Sequence, residues 1–416
     1  MSLDHIFRNA RIAGREDETV DIGMSAGRFA AIGMGLDAGA PFEDLGGRLV
    51  MPGFIETHIH LDKSCLLGRC VCEKGTLDEA IGAVAAAKTG FTQEDVYARA
   101  ERTLRKAILQ GTQRMRTHVE VDPRIGLTSI HALQKLKQDY AWAIDLTLCV
   151  FPQEGLLDDP GCDDVMVAAL EAGADVVGGA PYMDADSHGQ IARVFELAQR
   201  FGVDVDFHLD FGLDPSHLDL LEVCRLAEKT GWSGRVAIGH VTKLSAVPRP
   251  QLIELARRLA GAGVAVTALP ATDLFLIGRE HDHNVPRGVA LAHVLLEHSV
   301  TCSLSTNNVL NPFTPFGDCS LVRISNLYAN VAQVGTPAGM AACFDMVSAT
   351  SARLLNLKDY GIREGAPANM VVLDCATRAE AVSELAPPLF GLKAGRRTFT
   401  RPAVSLHLPA LEPAAA

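Results

Sequence analysis

Between residues 51 and 359, short apolar runs alternate with longer amphipathic stretches. The runs at 54–60, 115–121, 144–151, 174–178, 203–208, 235–240, 264–268 and 299–305 have the length and bounding turns of buried strands. The stretches at 92–110, 127–138, 162–172, 190–201, 217–230, 249–261 and 289–297 repeat apolar residues at helical spacing. Thr92 supplies the first of them with an N-cap, and Glu94 and Asp95 give it an acidic first turn. Eight strands alternating with helices predict a parallel sheet, and eight is the number that closes a (β/α)8 TIM barrel over residues 51–359.

The texture at the two ends is different. His5-Ile-Phe-Arg-Asn-Ala-Arg-Ile12, Asp21-Ile-Gly-Met24 and Arg28-Phe-Ala-Ala-Ile-Gly33 read as short strands joined by turns. So do Asn369-Met-Val-Val-Leu-Asp374 and Lys393-Ala-Gly-Arg-Arg-Thr-Phe-Thr400. Residues 1–50 and 360–416 are therefore expected to pair into one small β-sandwich domain, making the whole an α/β chain. Residues 411–416 are expected to fray.

Composition narrows the function classes. A length of 416 residues, 48% hydrophobic and 21% charged, suits a globular protein with a large core. The formal net charge of -12 is spread along the chain, and basic clusters such as Arg257-Arg258 are short, which argues against nucleic-acid binding. No 18-residue apolar run predicts a membrane span, and the first residues lack a charged-then-apolar signal pattern. Ten cysteines are scattered with no Cys-x-x-Cys, as expected for reduced, buried thiols in a cytoplasmic protein. Cys70-Val-Cys72 alone is weak evidence for a soft-metal site.

The polar residues at the C-terminal ends of the strands carry the chemistry, because barrel sites are built there. The first strand ends in His58-Ile-His60 after a Pro-Gly turn. Residues i and i+2 of a strand share a face, so both imidazoles can aim at one metal ion. The second strand ends in Arg116-Thr-His118-Val-Glu120-Val-Asp122, the third in Phe151-Pro-Gln153-Glu154, the fifth in Asp206-Phe-His208-Leu-Asp210, the sixth in Gly239-His240 and the eighth in Ser305-Thr-Asn307-Asn308. His118 is as readily a core residue as a ligand. His281-Asp-His283 is a second His-x-His, but a charged loop surrounds it. His188, His217 and the other remaining histidines fall in helices, loops or the flanking domain and read as surface or structural. A divalent ion with three imidazole ligands keeps positions open for water and lowers its pKa toward neutrality, so hydroxide becomes available to attack an sp² carbon flanked by nitrogens. His240, on the strand after His208, is the candidate to assist that attack.

Thr57-His-Ile-His-Leu-Asp-Lys63, Arg116-Thr-His-Val-Glu-Val-Asp122, Phe151-Pro-Gln-Glu-Gly155, Gly173-Ala-Asp-Val-Val-Gly178, His208-Leu-Asp210, Gly239-His240 and Leu355-Asn-Leu-Lys-Asp-Tyr-Gly-Ile362 together resemble the amidohydrolase superfamily. Within it the likeness is to the cytosine deaminase branch, which includes N-isopropylammelide amidohydrolase. The resemblance implies one zinc or iron ion, with manganese as an alternative, bound by His58, His60 and His208. It implies His240 as catalytic histidine and Gln153 as a hydrogen-bonding partner of a heterocycle edge. Lys63, Phe211, Asn308 and Phe313 are expected to line the same substrate pocket, the last three from loops covering it. The expected substrate is a small molecule, and the expected assembly a homo-oligomer.

Two positions depart from that branch. Its deaminases carry a glutamate shortly after the fifth-strand histidine that shuttles a proton to the ring; Phe211 stands there. The eighth-strand aspartate, which ligates the metal and takes the water's proton, aligns with Asn307. An amide oxygen can coordinate but cannot act as a carboxylate base. His240 alone, a substrate group, or another carboxylate (Asp210 or Glu120) must then take the proton, or the protein hydrolyses poorly. The reading is a metal-dependent hydrolase of a C–N bond in a small nitrogen heterocycle or a cyclic or N-substituted amide. Ring-opening lactam or imide hydrolysis, and a catalytically impaired ligand-binding relative, are the alternatives.

Overall fold

The computed structural model describes residues 2–36 and 39–407; the fraying expected at 411–416 falls outside them. Strands β1 (His5–Ile12), β2 (Arg15–Ser25), β3 (Arg28–Gly33), β4 (Phe42–Asp44) and β5 (Leu49–Met51) open the chain. The barrel strands follow: β6 (Phe54–Ile59), β7 (Thr112–Glu120), β8 (Asp145–Phe151), β9 (Val176–Gly179), β10 (Asp204–Leu209), β11 (Val236–His240), β12 (Val264–Ala268) and β13 (Cys302–Leu304). Then β14 (Met370–Leu373), β15 (Pro388–Lys393) and β16 (Arg396–Thr400) return to the first sheet.

The strands from both ends hydrogen-bond in one path, β16-β15-β14-β5-β1-β2-β3, with β4 added beside β1. β1 pairs in parallel with β4 and β5, and the remaining pairs are antiparallel. The sandwich is thus a single sheet curled on itself. Its β3 edge meets the segment leading into β14, where the Phe29 amide donates to the Ala366 carbonyl and the Ala368 amide to the Gly27 carbonyl, at 3.0 and 2.8 Å. Phe7, Ile22, Phe29, Val372 and Phe390 fill the space enclosed. Alternation in the sequence marks which residues face inward; it cannot say whether one sheet or two present them.

β6 to β13 form one parallel sheet in chain order. The ring is drawn together at the seam by residues beyond the end of β13. The Asn307 amide donates to the His58 carbonyl and the His60 amide to the Asn307 carbonyl, each at 2.9 Å. The Thr57 hydroxyl meets those of Ser303 and Ser305 at 2.8 and 2.6 Å, and the Thr306 amide donates to the Glu56 carboxylate at 3.1 Å. Inward-facing residues stack in layers along the axis. Arg116 and Asp206 form a buried ion pair at 2.9 Å, the histidines lie above it, and Lys63 with Glu120 caps them at 2.6 Å.

The expected helices are present within a few residues of their predicted bounds. The helix at Leu77–Lys88 is not marked by the sequence pattern, because its run of alanines carries no sharp apolar stripe. The short helix Pro270–Leu276, after β12, is also unmarked: it spans 7 residues, too few for an apolar stripe to repeat.

Gly178 in β9 faces its neighbours with no room for a side chain: a Cβ there would stand 2.4 Å from the Asp206 carbonyl oxygen and 3.2 Å from Cys149 Sγ. Gly178→Ala should therefore destabilise the fold by about 1–3 kcal/mol. Urea unfolding checks this, and an unchanged midpoint would show that β9 and β10 are not this close.

Candidate metal centre and active site

β6 places His58 and His60 on one face, and β10 brings His208 across the barrel to them. His208 Nε2 lies 3.1 Å from His58 Nε2 and 3.1 Å from His60 Nε2. His240, at the end of β11, joins the group: ligand atoms of His58, His208 and His240 all lie within 4.8 Å of one another. Burial, and then the neighbouring imidazoles and Lys63, hold His58, His60 and His208 well below the usual imidazole pKa. The three rings are therefore neutral. A neutral His208 offers one lone pair or one proton at Nε2, which cannot satisfy two facing nitrogens at once. A divalent cation taking a lone pair from each ring resolves that conflict, so the residues present fit the ion that such chemistry requires.

His240 is aimed by a residue that the sequence reading did not single out. Its Nδ1 lies 2.7 Å from Oδ1 of Asp273, a fully buried carboxylate in the helix Pro270–Leu276. Donation from Nδ1 leaves Nε2 to face the pocket. An acidic residue in the apolar segment after β12 was the signal available for it. The backbone here is strained: His240, Asn307 and Asp210 take φ of 68°, 64° and 49°, and the β-branched Val241 takes 44°. Non-glycine residues rarely adopt such values, and they gather at functional sites.

Asn307 presents Nδ2 3.4 Å from His240 Nε2, while its Oδ1 is buried with no partner. The backbone pairing with His58 and His60 fixes this position beside the imidazoles. The two carboxylates considered as substitute bases are otherwise engaged. Asp210 accepts from the Asp219 and Leu220 amides at 2.9 and 3.0 Å, and Glu120 is paired with Lys63 and Lys88 at 2.6 and 3.0 Å. His118 stacks on His58 with ring centroids 3.7 Å apart and points Nε2 toward Asp206 at 3.6 Å. It supports the first-strand imidazole from below and lies outside the pocket lining.

Every other residue selected from the sequence lines one pocket, with His58 just behind its wall. Lys63 Nζ donates to Gln153 Oε1 at 3.1 Å and sits 4.1 Å from the centre of the Phe313 ring. With its oxygen engaged, Gln153 keeps its NH2 for other partners. Tyr182, which the sequence reading also missed, pairs with Gln153, and burial raises its hydroxyl pKa so that it stays neutral. Phe211 meets the His240 ring edge to face at 5.1 Å. Asn311 ties the covering loop down by donating to the Asn308 oxygen at 2.7 Å and to the Lys63 carbonyl at 3.1 Å. The Cys70-Cys72 pair and the His281–His283 loop contribute nothing to the pocket lining.

The family profile for amidohydrolases matches residues 71–390. The chain belongs to the amidohydrolase family. It is 27% identical over 407 residues to the N-isopropylammelide isopropyl amidohydrolase of Pseudomonas sp. strain ADP, covering 95% of this amidohydrolase and 96% of that one. It is 28% identical to the pterin deaminase of Rhizobium rhizogenes, covering 82% and 78% of the two chains. The crystal structure of 5-methylcytosine deaminase from Klebsiella pneumoniae liganded with 5-fluorocytosine superposes with a TM-score of 0.93 at 30% identity, over 98% of this chain and 100% of that one. Among the described residues, no helix is long and apolar enough to cross a membrane.

His58→Ala and His208→Ala should each abolish stoichiometric metal at the barrel mouth, measured by elemental analysis after desalting; retention by both would refute the ligand assignment. Gly239→Ala tests the packing behind it. A Cβ there would stand 3.0 Å from His58 Cε1 and 3.1 Å from its Nδ1. The displaced ring should weaken metal binding about 10-fold or more.

Proposed function

We propose that this amidohydrolase removes an amino or alkylamino group from a small, flat nitrogen heterocycle, using one zinc or iron ion held by His58, His60 and His208. The observation that carries the reading is the trio of neutral imidazoles that converge beside a pocket with aromatic and polar sides, which His60 and His208 line. Phe211 and Phe313 offer flat apolar surface for a ring, while Gln153, Lys63 and Tyr182 offer hydrogen-bonding groups for its edge. The relatives' names point the same way, since they act on a triazine, a pterin and a pyrimidine.

The ion, when bound, acidifies a water and polarises the carbon to be attacked. The chain's own residues manage the proton. Asn307 cannot take it, so the task falls to His240, whose Nε2 faces the pocket while Asp273 holds Nδ1 and stabilises the imidazolium that forms. His240 can then return the proton to the departing nitrogen. With Phe211 in place of an acid, the ring nitrogen receives no proton from that side. This favours substrates whose leaving nitrogen is protonated directly. Gln153 orients the ring through the side-chain NH2 it shares with Tyr182, and the loop pinned by Asn311 limits access of bulk water.

Asn307 supports a second reading, a relative that binds the ligand but turns it over poorly, because the centre lacks one negative charge and one base. The two readings separate in one experiment. The protein is loaded with Zn²⁺ or Fe²⁺ and assayed for ammonia or amine release from aminopyrimidines, aminotriazines and pterins. Release supports hydrolysis; binding without release supports the second reading, and loss of ring absorbance without ammonia indicates ring opening instead. Asn307→Asp should tighten metal binding about 10-fold or more and raise kcat. Unchanged affinity would place residue 307 away from the ion.

A further inference from the structure

Two histidines outside the barrel mouth form a cluster that the function above does not use. His188 lies in the first turn of the helix Ser187–Phe201, and His217 and Asp219 lie on the loop that follows β10. His217 Nε2 is 2.9 Å and His188 Nε2 is 3.5 Å from the same oxygen, Oδ1 of Asp219. The two rings stack with centroids 5.6 Å apart, and both side chains are more than half exposed while that of Asp219 is 6% exposed. Ser187 Oγ donates to the same Oδ1 at 2.9 Å, fixing the carboxylate.

We propose that His188, His217 and Asp219 bind a second transition-metal cation at the rim of the barrel, clamping the loop after β10 to the helix that precedes that strand. One ligand atom from each residue lies within 4.8 Å of the other two. With the Asp219 oxygen 2.9 and 3.5 Å from the two Nε2 atoms, the three donors are spaced as ligands that share one ion at ~2.0–2.2 Å. Three protein donors on an exposed face leave a fourth position for water. Two imidazoles and one carboxylate select zinc, copper or nickel over magnesium or calcium.

The clamp has a consequence for the pocket. The Asp219 amide donates to Asp210, two residues beyond His208, and Lys243 donates to the His217 carbonyl at 2.8 Å. The loop so held begins with Phe211, which packs against His240. A metal at the rim therefore fixes one aromatic wall of the pocket without touching substrate.

The test is a Zn²⁺ titration of the chelator-stripped full chain against a chromophoric indicator. Wild type should take up two equivalents. The His188→Ala/His217→Ala double variant should lose one, with the affinity at that site falling on the order of 100-fold or more, since even outer-shell substitutions cost 10–100-fold. His217→Gln, which keeps an exposed polar side chain, should lose the same equivalent, separating ligand loss from loop damage. In the His58→Ala/His208→Ala background, one equivalent removable by the rim substitutions supports the rim site whatever the fate of the barrel centre. Hydrogen exchange over residues 211–218 should slow when that equivalent binds. Overturning results are an uptake that the rim substitutions leave unchanged, or a wild type whose only equivalent is lost with His58 and His208.

Discussion

Two buried imidazole nitrogens, each held 3.1 Å from a third, set the terms for this molecule. Burial disfavours the protonated form of each ring, and their mutual approach would be unfavourable without a cation between them. The arrangement survives because the barrel imposes it. Asn307 stitches the seam to the backbone of His58 and His60, His118 stacks behind His58, and the Arg116–Asp206 pair fills the layer beneath. Removing one partner of that buried pair would strand a charge, at a cost of about 3–5 kcal/mol. The layer is therefore a rigid floor for the centre above it.

The same seam explains what is unusual in the chemistry. Residue 307 lies beside the imidazoles and its backbone keeps it there, yet its side chain is an amide. The nearby carboxylates are committed elsewhere, Asp210 to helix amides and Glu120 to two lysines. What is left is the His240–Asp273 pair, in which a buried carboxylate fixes the ring's orientation.

Much of this was legible in the sequence, and the limits have physical causes. The eight barrel strands are short, largely buried runs separated by amphipathic helices, so alternation of the two finds them all. The shared face of His58 and His60 follows from strand alternation, and most of the polar residues chosen at strand ends line one pocket. Asp273 and Tyr182 escaped because each sits in a short helical turn beyond a strand, where no period assigns a direction to a side chain. Asp210 looked available as a base, but its positive φ turns it outward to cap the next helix. The rim histidines looked like isolated surface residues because 29 positions separate His188 from His217, and only the fold brings them together. Pairing order in the terminal sheet is likewise a long-range property that local alternation does not encode.

Anomalous diffraction from crystals of metal-loaded protein, collected above and below the zinc and iron edges, reads the centre itself. The account predicts a peak at the barrel mouth about 2.0–2.2 Å from Nε2 of His58, His60 and His208, with the Asn307 side chain beside it. Full loading in solution with no anomalous density among those three rings would contradict it.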